Sequence, residues 1–219
     1  MENDIIGDFY QGLVKIREET KKCLDDYKNG NCVTIALIKA ALVQFGSIDK
    51  IFSEYSVGNE EVTVKFMDGI TVSISNEEKG VVRDISGVKK KDNSEFYETG
   101  IELFAIIAKR VFLLKADFSE KCIHTFRDAV EYLNSGYPTK NAPKLLALDK
   151  QHVRKKSLNQ YKSVIIYSSA HAAYCSYGNQ DVAGRSNKVK RLLGVSWMKN
   201  LRGVGGKVKG AFILKHIES

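Results

Sequence analysis

The sequence predicts an α+β fold. Segments with helical periodicity come first along the chain and extended segments come last, without the β–α–β alternation that builds parallel sheets. A hairpin interrupts the helical part, because apolar residues alternate at 62–66 and again at 70–74. Between them, Asp68-Gly69 favours a two-residue turn with positive φ at both positions. With 219 residues, of which 43% are hydrophobic and 27% charged, and with only two prolines, we expect one compact unit over residues 1–219.

Two helices are predicted before the hairpin. The first has apolar residues at spacings of three and four, which define one face: Ile6, Phe9, Leu13 and Ile16. It ends by Gly30. The second runs from about residue 32 to 45 and is apolar on every side, so we expect it to be buried.

The later elements divide the chain into two lobes. Helices are predicted near 96–111, where Asp92 and Glu95 would form a capping box, and near 124–134 and 142–148. Extended segments then follow at 164–167, 172–177, 189–197 and 211–217. The predicted division is a mainly helical lobe at 1–155 and a mainly β lobe at 156–219.

Several classes of protein are excluded by composition. No apolar run reaches the roughly 18 residues of a membrane span, and the amino terminus has no basic start followed by an apolar core. The four cysteines and four histidines are scattered and show no C-x-x-C spacing, so neither a metal nor another cofactor is predicted. Without a secretion signal, we expect reduced cysteines and a cytoplasmic protein.

Cys32 is the candidate nucleophile. The turn at Gly30-Asn31 delivers it to the first position of the buried helix, where free N–H groups and a partial positive charge favour a thiolate. A thiolate there can attack a carbonyl, and the cysteine N–H can help to hold the oxyanion. The alternative is a small buried residue at a helix start.

His171 is the candidate base. It is surrounded by small residues and opens a predicted strand, whose rigid backbone could aim the imidazole ring. A buried histidine with a purely structural hydrogen bond is the alternative.

The order of these pieces, together with the end of the chain, resembles a known family. After the cysteine helix and the His171-Ala172 pair, the sequence Lys-Asn-Leu-Arg-Gly-Val-Gly at 199–205 precedes a Gly-Ala-Phe strand at 210–212. This pattern resembles the papain-like cysteine peptidases. The calpain branch is nearest, since it has Gly-Asp-Cys where this chain has Gly-Asn-Cys at 30–32. Its Phe-Trp-x4-Glu helix is echoed by Phe96-Tyr97 and Glu102.

The resemblance implies a fold and a set of roles. A helical lobe with the nucleophile helix would pack against an antiparallel β-sheet lobe. Cys32 would be the nucleophile, His171 the base and later the acid, and Asn200 the group that orients the imidazole ring. A Cys32 thiolate and a His171 imidazolium would form before substrate arrives.

The oxyanion donor needs a substitute in this chain. Family members place a glutamine six residues before the cysteine, and that position is Asp26 here. A carboxylate would repel an oxyanion, so Lys28, Asn29 or Asn31 would have to take its place, and Asn29 and Asn31 are the oxyanion-hole candidates.

The charge distribution predicts an acidic partner. Residues 182–217 hold nine Lys or Arg and no acidic residue, so the rest of the chain sums to −1 within the net +8. This basic segment would steer a protein or peptide substrate with acidic residues near the scissile bond. The alternative is a solvated sheet edge whose lysines discourage strand pairing.

Three functions follow from these observations. The first is a cysteine peptidase that cleaves peptide or isopeptide bonds through a thioester, with deamidation and transfer as related chemistries. The second is an inactive papain-like module that binds an acidic partner, which Asp26 and Arg202 favour, since Arg202 replaces a family tryptophan. The third is a nucleic-acid binder, which is disfavoured because basic and aromatic residues are not interleaved.

Overall fold

Three antiparallel sheets form the β part of the structure, a computed structural model that describes residues 5, 8–24, 30–91, 94–169, 171–182, 185–188 and 208–217. A two-stranded sheet pairs β1 (Phe9–Gln11) with β5 (Val88–Lys90). A three-stranded sheet consists of β2 (Glu54–Val57), β3 (Glu61–Lys65) and β4 (Thr71–Ser75). The strands of the third sheet are β6 (Asp149–His152), β7 (Val164–Tyr167), β8 (Ala172–Ser176), β9 (Asn179–Val182), β10 (Arg185–Lys188) and β11 (Gly210–Lys215). Their order is β10-β9-β8-β7-β11-β6, and every pair is antiparallel.

The helices alternate with the two smaller sheets. They are α1 (Glu18–Cys23), α2 (Cys32–Phe45), α3 (Asn76–Ile85), α4 (Tyr97–Leu113), α5 (Lys115–Phe118) and α6 (Phe126–Leu133), with 3₁₀ helices at Asp49–Ile51, Thr139–Leu146 and Lys155–Gln160. The α+β class is therefore confirmed. Among the described residues, no helix combines the length and the apolarity that a membrane crossing needs. The division into lobes at residue 155 stays a prediction, and β6, which precedes that position, already belongs to the six-stranded sheet.

Helix α2 lies at the centre of the molecule. Its residues from Val33 to Leu42 are all buried, as the apolar sequence predicts. It contacts β7, β8 and β11 of the six-stranded sheet on one side, and α4 with the 3₁₀ helix Thr139–Leu146 on the other. The helix ends at Gly46, which adopts a φ of +88° and donates its N–H to the Leu42 carbonyl.

The six-stranded sheet is covered on both faces. Ile165 and Tyr174 face α2 and belong to the main hydrophobic core. Val164 and Ala173 face the other way and pack with Leu158 in a second, smaller core. Both faces of β7 and β8 are therefore apolar, which makes β8 a rigid support for a functional side chain at its beginning.

The first predicted helix is wrong. Residues 9–11 form strand β1, the chain stays irregular from 12 to 17, and helix α1 begins only at Glu18. Phe9 is buried against α4, where a Cβ at Gly100 would come within 2.9 Å of its ring. Leu13, assigned to the same apolar face, is 88% exposed. Pairing with β5 thus overrides a helical spacing carried by only four residues.

The hairpin is confirmed as β3 and β4, but its turn differs. Three residues, 67–69, connect the strands, since the Phe66 N–H donates to the Ile70 carbonyl. Only Gly69 has positive φ, at +85°, so the loop is of the three-residue kind with a left-handed glycine.

The remaining helix and strand predictions are met in part. Helix α3, closed by a Ser75/Glu78 capping box, was not predicted. Helix α4 begins at Tyr97, whose N–H donates to Ser94 Oγ at 3.0 Å, and Asp92 of the predicted capping box lies outside the described residues. The predicted strand at 189–197 also lies outside them.

A disulfide joins Cys23 at the end of α1 to Cys122 before α6, with their Cα atoms 5.7 Å apart. The prediction of reduced cysteines is wrong, and the cytoplasmic location that depended on it is withdrawn. The two cysteines are 99 residues apart in sequence, so no local motif announces the pair. They meet because Arg17 and Thr20 of the α1 region bond the buried Glu131 carboxylate of α6.

Removing this disulfide should destabilise the fold. Closing a loop of this length restricts the unfolded chain, and such bonds contribute about 2–4 kcal/mol. We expect Cys23→Ser/Cys122→Ser to lower the free energy of unfolding by about that amount, measured by urea denaturation followed by circular dichroism. Dithiothreitol should lower the free energy of unfolding of the parent by a similar amount and leave that of the variant unchanged. Equal midpoints for parent and variant would contradict this account.

Candidate active site

A cavity of about 470 Å³ lies between the amino end of α2 and the start of β8. Helix α2 contributes Cys32, Ile35, Ala36 and Lys39 to its wall, and the sheet contributes residues 171–174 and Asp181. The third side is the segment 10–13 that leaves β1. The structure therefore brings Cys32 and His171, which are 139 positions apart in the chain, to one cavity.

The turn before Cys32 is held from two sides. Gly30 donates its N–H to the Asn134 carbonyl at 2.8 Å, and its φ of +150° suits glycine. The side-chain NH₂ group of the buried Asn31 donates to the Ser86 carbonyl. The backbone carbonyl of Asn31 accepts the Ile35 N–H of the first helical turn. These bonds fix Cys32 as the first residue of α2.

His171 is positioned by a short turn between β7 and β8. Its N–H donates to Ser168 Oγ at 3.1 Å, and its carbonyl accepts the Ser168 N–H at 2.8 Å. Ala172 follows as the first residue of β8, and its backbone N–H acts to lower the pKa of the Cys32 thiol.

The cavity wall favours the neutral forms of both groups. Burial raises the pKa of Cys32, although the backbone N–H groups of Ala172, Val33 and Cys32 oppose that shift. Burial also lowers the pKa of His171. Both directions oppose the predicted thiolate–imidazolium pair in the free protein, because desolvation of the wall outweighs the favourable helix amino terminus.

The other sequence-predicted residues are not gathered at the cavity. The Asn31 side chain points to Ser86 and does not line it. Asn29, Asn200, Asp26 and Arg202 lie outside the described residues, as does most of the basic segment with its cations. Among the residues that the structure describes, no three His, Cys, Asp or Glu side chains are grouped so that they could hold a metal ion.

Gln11 is a site residue that the sequence analysis missed. It ends β1, lines the cavity, and packs against Gly30, where a Cβ would lie only 2.7 Å from Gln11 Nε2. Its primary amide is a hydrogen-bond donor in the same cavity as Cys32. The sequence contains one signal for this residue, since Gln11 is the only glutamine before Cys32. The predicted first helix hid that signal, because it assigned Gln11 to a helix and not to a strand that leads to the cavity.

The cavity wall also contains an ion pair that the apolar sequence of α2 does not indicate. Lys39 Nζ bonds Asp181 Oδ2 of β9 and lies 4.7 Å from the centre of the Phe9 ring. The Lys39 side chain is 0% exposed and that of Asp181 7%. Opposite charges are thus buried together in the wall.

Comparison of the chain with models of protein families, with curated proteins and with solved structures found no match in any of the three. The function is therefore inferred from the site.

Thiol labelling should single out Cys32. Cys23 and Cys122 are joined in a disulfide, and Cys175 is fully buried, which raises its pKa to about 12. Cys32 is partly exposed at the cavity. We expect iodoacetamide at about pH 8, near the ordinary thiol pKa, to add one group to the native protein, located on Cys32 by peptide mass mapping. The Cys32→Ser variant should take up none. Label found first on Cys175 would show that the cavity is closed to reagents.

Proposed function

We propose that the protein is a cysteine peptidase, or a closely related thiol hydrolase, with Cys32 as nucleophile and His171 as base. One observation carries the proposal. Cys32, the first residue of buried α2, and His171, immediately before β8, line one cavity. Nucleophile and base on two rigid elements are the minimum that acyl transfer needs.

The neutral state of both groups defines the first step. His171 takes the thiol proton as the Cys32 sulfur attacks the substrate carbonyl carbon, so charge develops only with bond formation. The oxyanion of the tetrahedral intermediate would be held by the Cys32 N–H at the helix amino terminus and by the Gln11 amide.

The second half of the reaction returns the enzyme to its starting state. The His171 imidazolium gives its proton to the leaving amine as the carbon–nitrogen bond breaks, which leaves an acyl thioester on Cys32. His171 then removes a proton from water, and the hydroxide attacks the thioester. The carbon–sulfur bond then breaks, the acid product departs, and the His171 imidazolium returns its proton to the Cys32 sulfur, which regenerates the thiol.

The finer proposal is a papain-like enzyme. A nucleophile helix buried against an antiparallel sheet that carries the histidine supports it, together with the motif at 199–205. Within this proposal Asn200 orients His171, and Gln11 takes the part of the family's oxyanion glutamine from a different element.

Loss of Cys32 or of His171 should reduce turnover more than loss of Gln11. We expect Cys32→Ala and His171→Ala to abolish cleavage of a proteome-derived peptide library, because the nucleophile or its base is gone. Gln11→Ala should lower kcat by about 10²–10³ with little change in KM, as for loss of one oxyanion donor. Cleavage is read by mass spectrometry, and kcat and KM are then measured on the best peptide.

The matched controls are residues of the same types away from the cavity. His124→Ala and Gln151→Ala change exposed side chains and should leave kcat and KM unchanged. Equal cleavage by Cys32→Ala and the parent would contradict the enzyme proposal. If neither the parent nor any variant cleaves the library, the alternative of an inactive module that binds an acidic partner is favoured.

The pH profile should be broad. Protonation of His171 removes the base, and because burial lowers its pKa, the acid limb of kcat/KM should lie below the ordinary histidine value of about 6.5. Ionisation of Cys32 removes the proton that is later given to the leaving group. Burial raises that pKa, so the alkaline limb should lie above the ordinary cysteine value of about 8.5. A pH profile of kcat/KM narrower than the interval from about 6.5 to about 8.5 would contradict the proposal that Cys32 and His171 are both neutral in the free protein.

A further inference from the structure

A lysine side chain lies at the edge of the candidate active-site cavity. Tyr10 and Gly12 line the cavity, and Lys89 of β5 is the register partner of Tyr10. Side chains directly opposite each other in an antiparallel pair lie on the same face, so Lys89 stands beside Tyr10. Its stem also crosses Gly12, because a Cβ there would come within 2.6 Å of Lys89 Cγ and 2.9 Å of Lys89 Cε. Lys89 therefore borders two residues of the cavity wall.

The face of the β1–β5 sheet that carries Lys89 is turned to solvent. Phe9 and Val88 occupy the other face and are buried, so the core lies on that side. The pairing continues at Lys91, whose N–H donates to the Asp8 carbonyl at 3.1 Å. Because side chains alternate along a strand, Lys91 lies on the same face as Lys89. Both lysines are exposed.

The two lysines give this edge of the cavity a positive charge. The Asp8 carboxylate lies on the strand opposite Lys91, but it accepts hydrogen bonds from residues 94–96 at the start of α4. Within the described part of the chain, neither lysine is paired with a carboxylate. The charged side chains of the wall itself, Lys39 and Asp181, have opposite signs and are 0% and 7% exposed. The exposed charge beside the cavity is therefore positive.

We propose that Lys89, with Lys91 beside it, is a recognition site for a carboxylate, so that the cavity favours substrates with an aspartate or glutamate near the bond that Cys32 attacks. The inference rests on the proposed function for the identity of that bond. It is independent of the basic segment at 182–217, because both lysines belong to the β5 side of the cavity. An exposed ammonium acts mainly through long-range attraction, which raises the association rate and weakens as salt is added.

The attraction can be measured at Cys32 with two reagents of nearly the same size. Iodoacetate carries a carboxylate and iodoacetamide is neutral, and both alkylate the Cys32 thiolate with loss of iodide. The ratio of their rate constants is independent of the thiolate fraction, because both reagents react with the same thiolate. The ratio therefore reports how charge affects the approach to Cys32. It is measured on the native full chain at about pH 8 by mass spectrometry.

Reversing the charge of Lys89 should lower this ratio. We expect Lys89→Glu to reduce the iodoacetate-to-iodoacetamide ratio by about threefold at roughly 0.1 M salt, where the Debye length is about 10 Å. Lys89→Arg should keep the ratio of the parent. At about 1 M salt, where the Debye length falls to about 3 Å, the ratios of Lys89→Glu and the parent should converge.

Lys50→Glu is the matched control. Lys50 is exposed and follows the far end of α2, and the length of that helix places its two ends about 20 Å apart. The ratio for Lys50→Glu should stay at the parent value. A loss in Lys50→Glu as large as that in Lys89→Glu would show a general effect of net charge and overturn the proposal. An unchanged ratio in Lys89→Glu would also overturn it, and would leave the lysines to discourage strand pairing at the sheet edge.

Two readouts separate this inference from the proposed function. If Lys89→Glu does not fold, Lys89→Met removes the charge without reversing it and should lower the ratio by a smaller factor. A peptide library left uncut by the parent rejects the peptidase, and the alkylation ratio still decides whether carboxylates are attracted to Cys32. A cut library whose cleavage sites show no acidic preference, in the parent as in Lys89→Glu, rejects only the recognition site.

Discussion

Everything at the candidate site depends on the burial of helix α2. Its residues from Val33 to Leu42 are packed between the six-stranded sheet and α4, so the amino end of the helix cannot shift without moving the main core. Truncating one buried leucine or isoleucine in such a position costs about 2–5 kcal/mol. The hydrogen bonds at Gly30 and Asn31 then fix the turn, and the distance from Cys32 to the start of β8 follows from the packing.

The same burial sets the electrostatics of the cavity. A helix amino terminus favours a thiolate, yet the wall around Cys32 is desolvated enough that its pKa moves upward. Burial moves the pKa of His171 in the opposite direction, downward. The proposed mechanism therefore starts from a neutral thiol and a neutral imidazole, and the same cavity wall contains the Lys39–Asp181 ion pair.

Local sequence signals were sufficient for part of the fold. The continuous apolar run of α2, the alternation in β3 and β4, and the short apolar strands β7 and β11 each follow from residues that are neighbours in the chain. Cys32 at a helix start and His171 at a strand start were predicted on the same basis. In the structure Cys32 is the first residue of α2, and His171 comes immediately before β8.

The features that the sequence does not predict have a common physical cause, which is contact between distant parts of the chain. Strand β1 forms because β5 pairs with it, and the disulfide forms across 99 residues. Gln11 reaches the cavity only because β1 is a strand. Lys39 is tolerated within an apolar helix because Asp181, 142 residues later, is brought against it. None of these partners can be recognised from the residue that needs it.

The central claim is that His171 acts on the thiol of Cys32. The most direct measurement is the rate constant of Cys32 alkylation by iodoacetamide across pH, in the parent and in His171→Ala. The account predicts that loss of the base slows alkylation by about tenfold or more near neutral pH, with the two curves meeting at alkaline pH where the thiol ionises unaided. Superimposable curves over the whole range would contradict it.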